Sequence, residues 1–495
     1  MENSRRNIII IVGAIIVVCG CISLISLGVL GYLFPFERVV GLFSANEPVA
    51  VVPEEIIVTP EETFIEPTPT ESIVLPSPTN LPTDPSLTDV PPEPPTPEPI
   101  PPEIALQMDQ IETEVITLRD LQPTGPVSRR LLSPEDLRQK IESDFFEDYP
   151  VEEAEQDTII LSALGLLDPG FEMFTFYQDL LSEQIAGQYD QNTKEMDIIQ
   201  DSGFGGIERL TYAHEYTHAL QDQNYDIENG LNYSSESCKE DSERCAAIQA
   251  LLEGDASMLE LEWFNNYATS QDFYDIQDFY KDYEGPVLES APDFLREDFI
   301  FPYIYGQSFV EYIYNNGGWN AVNNAYRDLP LSTEQILHPE RYPDDRPIEI
   351  EKPDLSLILG DQWQELDSGV MGEWYTYLIL AHGREPDARI DDVEAQNASE
   401  GWGGDYYLVF YDQQSQKTVV VMRTLWESET DAGQFFDAFQ KHSTARFGPP
   451  SNVESGKINW THPEGFTEIA VDELETTWIF APDEATALLV KSAIP

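Results

Sequence analysis

The chain has 495 residues, and Asp and Glu outnumber Lys and Arg by 91 to 26, for a formal net charge of −65. A field of that sign repels nucleic acid and anionic lipid headgroups, which excludes both as partners. Hydrophobic residues at 41% with 11% aromatics can build a sizeable core, so global disorder is excluded, and the length calls for more than one unit.

Arg5 and Arg6 precede an uncharged run from Ile8 to Phe34. That run exceeds the roughly 20 residues a spanning helix needs and is longer than the apolar region of a cleaved signal peptide. Residues 1–6 are expected as a cytoplasmic tail and 7–34 as a single transmembrane helix. Retention of the two arginines inside then places everything beyond on the extracytoplasmic side. Residues 35–103 change to Pro, Thr, Ser, Glu and Val, with no Lys or Arg between Arg38 and Arg119. Proline removes backbone donors and like charges repel, so this stretch is expected as a disordered stalk reaching on the order of 150 Å.

The folded part is expected in three pieces: 104–345, a connector at 346–369, and a carboxy-terminal α+β block at 370–495. Ser133-Pro134-Glu135-Asp136 is a helix start, with a hydroxyl cap, proline at the first position and acids in the first turn, and predicts a helix to residue 146. Helical patterns over 157–167 and 171–185 follow. Polar residues 190–194 then separate two short strand-like runs within 185–199, a hairpin signal. Helices are expected at 207–223, 242–267 and 301–327, the last interrupted at Asn316-Gly317-Gly318. The final block reads as a helix at 371–382, strands at 406–410 and 419–426, a helix at 431–445, and a strand pair at 466–471 and 475–480. Pattern leaves open whether that block stands apart or packs on what precedes it.

Cys19 and Cys21 lie in the apolar run and read as small membrane residues. Cys238 and Cys245 flank a short polar loop and predict a local disulfide in an oxidising compartment.

The chemistry concentrates in the helix at 207–223, which contains His214, Glu215 and His218 in the order H-E-x-x-H. Histidines four residues apart differ by about 40° around a helix, so both imidazoles project from one face about 6 Å apart. Two ring nitrogens then reach one zinc ion, with Glu215 beside it to handle protons. A catalytic zinc needs a third protein ligand, and Glu253, in Ala-Leu-Leu-Glu-Gly-Asp-Ala at 250–256, is the first candidate. Gly254 beside it permits close approach of another helix. Glu260 and Glu262 are alternatives as ligands, although their positions after Met258 and Leu259 suit a solvated face. His382, His442 and His462 have no companions and read as structural.

HEYTH followed by E-G-D-A resembles the gluzincin branch of zinc metallopeptidases, and within it the bacterial proteins with an H-E-x-T-H-A-L-Q-D-Q helix. The resemblance covers roughly residues 180–342. It implies a zincin-like, mainly helical core of an α+β fold with a small hairpin or edge strand, in which His214, His218 and Glu253 bind Zn2+. Glu215 would then act as general base on the water that attacks a peptide carbonyl. The branch commonly stabilises the oxyanion with Tyr or His, for which Tyr305, Tyr303 and His338 are candidates, Tyr305 first. The hairpin around Gln188-Tyr189 would offer an edge to an extended peptide. Thermolysin-type members carry an Asp four residues after the ligand Glu to support a zinc histidine. Here that position is Ser257, and Asp255 points about 200° away around the helix, which leaves the support of the histidines unassigned.

Two functions compete. One is a membrane-tethered extracytoplasmic zinc endopeptidase acting on peptides or proteins. The other is a stalked surface binding or adhesion module whose zinc site is inactive or structural. The presence of Glu215 favours the enzyme, because binding alone needs no general base.

Overall fold

The computed structural model describes residues 99–494, apart from 185, 200–202 and 283–284. The expected anchor at 7–34 and the stalk up to residue 98 lie outside the described residues. Among the described residues, no helix is long and apolar enough to cross a membrane.

The fold is α+β. Helix α1 (Pro102–Arg119) begins within the last two residues assigned to the stalk. It buries Ile104, Met108, Ile111 and Val115, spaced three and four residues apart along one stripe. Strand β1 (Ser128–Leu132) leads to α2 (Pro134–Asp148), where the Ser133 hydroxyl accepts from the Asp136 N–H at 3.1 Å, the expected cap. Helices α3 (Val151–Leu164) and α4 (Met173–Gln184) follow. Strands β2 (Gly187–Asp190) and β3 (Glu195–Ile199) form the expected hairpin, and Asp190 accepts from the Asn192 and Thr193 N–H groups in its turn. The sequence did not show β1 as a strand, because Ser-Arg-Arg-Leu-Leu lacks alternation. It pairs parallel to β3 and makes a three-stranded sheet in the order β1-β3-β2.

The next helices are α5 (Gly206–Tyr225), α6 (Ser242–Tyr267), α7 (Ser270–Asp282) and α8 (Asp293–Ala325). The break expected at 316–318 falls at Gly318, whose φ of 62° lies in the left-handed region that glycine tolerates. Cys238 and Cys245 are joined, with sulfurs 1.94 Å apart, and tie the segment before α6 to its first turn.

The remaining chain builds one antiparallel sheet of seven strands, ordered β4-β5-β6-β10-β9-β8-β7. Its strands are β4 (Gln364–Gly369), β5 (Trp402–Asp412), β6 (Lys417–Trp426), β7 (Asn452–Glu454), β8 (Lys457–His462), β9 (Gly465–Asp472) and β10 (Glu475–Ala481). Helices α9 (Gly372–Ala381), α10 (Asp392–Ser399), α11 (Glu429–Phe447) and α12 (Glu484–Lys491) lie between and after them. Strand β4, drawn from residues read as connector, is an edge of this sheet.

Both faces of the central strands are buried, which explains apolar runs without alternation in β5 and β6. Tyr406, Leu408, Phe410, Val419 and Val421 join a cluster with Ala487 and Val490 of α12. Tyr407, Val409, Val420 and Met422 face the other way, into a cluster that also holds Leu251 of α6, Phe309 of α8 and Trp374 of α9. That second cluster runs from Leu137 to Phe480. The carboxy-terminal block is therefore packed on the helical part through a shared core. A separate cluster of α1, β2, β3 and α5 residues, including Met108, Met196, Leu210 and Leu220, holds the other side of α5.

Candidate metal centre

Helix α5 lies between the three-stranded sheet and α6, so its middle is enclosed: His214, Glu215 and His218 are each at most 1% exposed. Helix α6 is held close to α8 by facing glycines. A Cβ on Gly254 would lie 2.2 Å from the Gly306 carbonyl, and one on Gly306 would lie 2.1 Å from the Ala250 oxygen. Gly254 thus has the role expected of it, and its neighbour Glu253 is turned toward α5.

Three donors converge there. His214 Nε2 and His218 Nε2 are 3.1 Å apart, and Glu253 Oε2 lies 3.3 Å from the first and 3.5 Å from the second. Ligands about 2.0–2.1 Å from a tetrahedral zinc are separated by about 3.3 Å, so the three atoms fit one such ion. Each histidine is held from behind. Glu260 Oε2 lies 3.0 Å from His214 Nδ1. Gln221 Oε1 lies 2.8 Å from His218 Nδ1. The Gln221 amide nitrogen donates to the Leu252 carbonyl at 3.0 Å and to Asp255 Oδ2 at 3.2 Å, both acceptors, which assigns Oε1 to the histidine side. With both Nδ1 atoms donating, both Nε2 atoms are left facing the Glu253 carboxylate.

Glu260 corrects the sequence reading: it is 2% exposed and pairs with His214, in place of lying on a solvated face. Seven residues after Glu253 is about two helical turns, and that spacing is the signal that could have found it. Gln221, three residues after His218, was readable in the same way. The Ser257 hydroxyl has no hydrogen-bond partner among the described residues, so it bonds neither histidine. Asp255 reaches His218 only through Gln221, in keeping with its angle around the helix.

The charges are strongly coupled. Burial depresses His214, but hydrogen bonds to Glu253 and Glu260 outweigh it and hold the imidazole up to about 10. Burial likewise raises Glu253, but His218 and His214 outweigh it and keep its carboxyl below the usual range. Glu215 has no such rescue. Burial pushes it well above an ordinary carboxyl, and the nearby Glu253 and Glu260 push the same way against His214. Its Oε2 accepts the Tyr189 N–H of β2 at 2.8 Å, while Oε1 is buried with no hydrogen-bond partner among the described residues. A buried polar oxygen without a partner is costly unless something else binds it, and the donor set beside it suits a cation and a water molecule.

The other candidates have partners of their own. Tyr305 packs against the rings of Phe301 and Trp374, with centroids 5.4 and 5.3 Å away. His338 Nε2 pairs with Glu373 Oε1 at 2.9 Å. Neither is hydrogen-bonded to His214, His218, Glu215 or Glu253. Tyr303 is buried within the shared core. His382 bonds Asp293, and burial pushes His442 down to about 4, both consistent with structural roles. A second group, Glu334, Asp345 and Glu427, also brings three carboxylate oxygens within 4.8 Å of one another. Arg341 Nη1 lies 2.8, 3.7 and 3.2 Å from them in turn, so a guanidinium already stands at its centre.

A domain of unknown function (DUF8575) matches residues 361–491, the stretch that holds the seven-stranded sheet. The candidate metal centre lies outside those residues. No curated protein and no solved structure matches the chain.

Proposed function

We propose that the protein is a zinc-dependent endopeptidase of zincin-like architecture, held outside the cell by a single anchor and a proline-rich stalk. The observation that carries this reading is Glu215: a buried carboxyl group with one oxygen fixed by Tyr189 and the other without a hydrogen-bond partner among the described residues, beside two imidazoles and a carboxylate spaced for one metal ion. A structural site has no need of that side chain.

His214, His218 and Glu253 would hold the ion. When bound, zinc supplies Lewis acidity that makes a water molecule acidic enough to attack a carbonyl near neutral pH. Glu215 Oε1 takes the proton released by the attacking water and delivers it to the leaving amine. The Tyr189 N–H anchors Oε2, so the proton-carrying oxygen keeps its aim. Glu260 and Gln221 keep both imidazoles in the tautomer that binds metal. Tyr305 and His338 are engaged with Trp374 and Glu373, and the oxyanion donor is not assigned to either.

The complete burial of all three donors favours a second reading, a closed zinc site that serves stability alone. The purified full-length chain separates the two. The enzyme reading expects one bound zinc, peptide cleavage, and a Glu215→Gln variant that keeps the zinc but cleaves about 10²–10⁴-fold more slowly. Zinc-loaded wild type that cleaves nothing in a broad peptide library, while chelation lowers its melting temperature, supports the structural site instead.

A further inference from the structure

Arg119, the last residue of α1, is fully buried beside an equally buried Asp255 of α6. Its guanidinium spans both carboxylate oxygens, with Nε 2.8 Å from Oδ1 and Nη2 3.1 Å from Oδ2. Nη1 donates to Asn323 Oδ1 at 2.8 Å, and the guanidinium plane lies 4.3 Å over the Trp319 ring. Asp255 Oδ2 also accepts from the Tyr326 hydroxyl at 2.7 Å and from Gln221 Nε2 at 3.2 Å. Gln221 Oε1 then meets His218 Nδ1 at 2.8 Å.

A buried ion pair of this kind is weak support for stability, because apolar residues of the same volume serve as well or better. Its effect here lies in orientation. A glutamine amide can turn over and exchange its oxygen and nitrogen. Turned over, Gln221 would present an N–H to His218 Nδ1, which would have to accept, and the ring proton would move to Nε2 and cover the lone pair facing Glu253. Two acceptors prevent this, the Leu252 carbonyl and Asp255 Oδ2. The carbonyl is fixed by the helix, but the carboxylate can rotate, and the arginine fork holds it together with the Tyr326 hydroxyl.

We propose that Arg119 is a positioning residue for His218, acting through Asp255 and Gln221, so that the helix following the stalk is part of the metal centre. The inference rests on reading His214, His218 and Glu253 as metal donors. Its consequence is that loss of α1, by deletion or by mutation, loosens the metal as well as the fold.

The test is a double-mutant cycle on the full-length chain in detergent, with zinc affinity read by competition with a chromophoric chelator. Arg119→Met is expected to weaken zinc binding about tenfold and Gln221→Met about 10–100-fold, the range for outer-shell partners of a ligand. The double variant is expected to bind no more weakly than Gln221→Met alone, because the arginine acts through the amide. Glu112→Gln is the control for helix packing: Glu112, also on α1, accepts from the Tyr212 hydroxyl at 2.6 Å and from Arg129. That variant should lower the melting temperature and leave zinc affinity unchanged. Should Arg119→Met fail to fold, Arg119→Lys is expected to bind zinc with intermediate affinity, and wild-type affinity would overturn the proposal. Wild-type affinity in a folded Arg119→Met, or additive losses in the double variant, would also overturn it and leave the metal reading intact. A wild-type chain that binds no zinc sinks both.

Discussion

Glu215 and Glu253 are buried carboxyls of one site that titrate in opposite directions: burial pushes Glu215 up, whereas at Glu253 the His218 and His214 imidazoles outweigh burial and pull it down. The difference is contact: Glu253 meets both imidazoles, whereas Glu215 hydrogen-bonds only the Tyr189 N–H among the described residues. His214 between two carboxylates carries its second proton up to about 10, so at neutral pH that proton competes directly with a metal ion. Zinc loading at pH 7 is therefore expected to release about one proton from His214, and zinc affinity should rise with pH until about pH 10. Calorimetry in two buffers of different ionisation enthalpy measures the release. Zinc binding with no proton exchanged would contradict the geometry. Of the donors, the two histidines and Glu253 were legible because helical spacing and an isolated glutamate on an apolar helix are local patterns. The sequence does not say which way Tyr305 and His338 face, because an aromatic or imidazole on a separate element carries no mark of its direction; in the fold they meet Trp374 and Glu373.

At the scale of elements, the centre depends on how closely α6 approaches α8. The Gly254–Gly306 contact leaves no room for a methyl group on either side, and the neighbouring atoms are backbone. Gly254→Ala is expected to cost about 1–3 kcal/mol through forced separation of the helices. It should also weaken zinc binding, since Glu253 moves with the backbone. A thermal melt and a zinc titration on the same variant check both, and an unchanged melt would show that the helices separate freely. The long amphipathic helices and the hairpin were readable from periodicity and turn chemistry. Strand β1 was not, because its two arginines find partners only in the fold: Arg130 pairs with Asp197 of β3 at 2.7 Å, and Arg129 with Asp109 of α1 at 2.7 Å. Strand β4 was read as connector for a similar reason, since an edge strand is defined by its neighbour more than by its own residues.

Over the whole molecule, the shared core makes the helical part and the seven-stranded sheet one body, and buried acids mark the joint. Asp298 of α8 accepts from Trp374 Nε1 and the Tyr375 hydroxyl of α9, both at 2.9 Å, and Asp405 of β5 accepts from the Met371 and Gly372 N–H groups. Burial raises both to about 6, and raises Asp157, bonded to Tyr149, to about 8. In the unfolded chain an aspartate titrates near about 3.9, so between that pH and the raised values the folded state binds more protons. The stabilisation is complete below about pH 4 and is lost as pH rises through about 6 for Asp298 and Asp405 and about 8 for Asp157. Urea melts between pH 5 and 9 should show falling stability, and Asp157→Asn should flatten the upper part of that curve. Stability that rises across the interval would contradict the burial of these groups.

The sequence by itself determined the local features: the helices and the hairpin, the helix caps, the break at Gly318, the pair Cys238–Cys245, and the H-E-x-x-H spacing that sets two imidazoles on one face. These depend on residues a few positions apart, and the backbone fixes their geometry. Only the tertiary structure decided what stands behind those imidazoles, that Glu260 and Gln221 serve as their supports, that Arg119 is joined to His218 through two intervening side chains, and that the last block shares a core with the first. Those relations join residues as far apart as Arg119 and Asp255, or Leu137 and Phe480. No periodicity encodes them, because they arise from which buried faces meet.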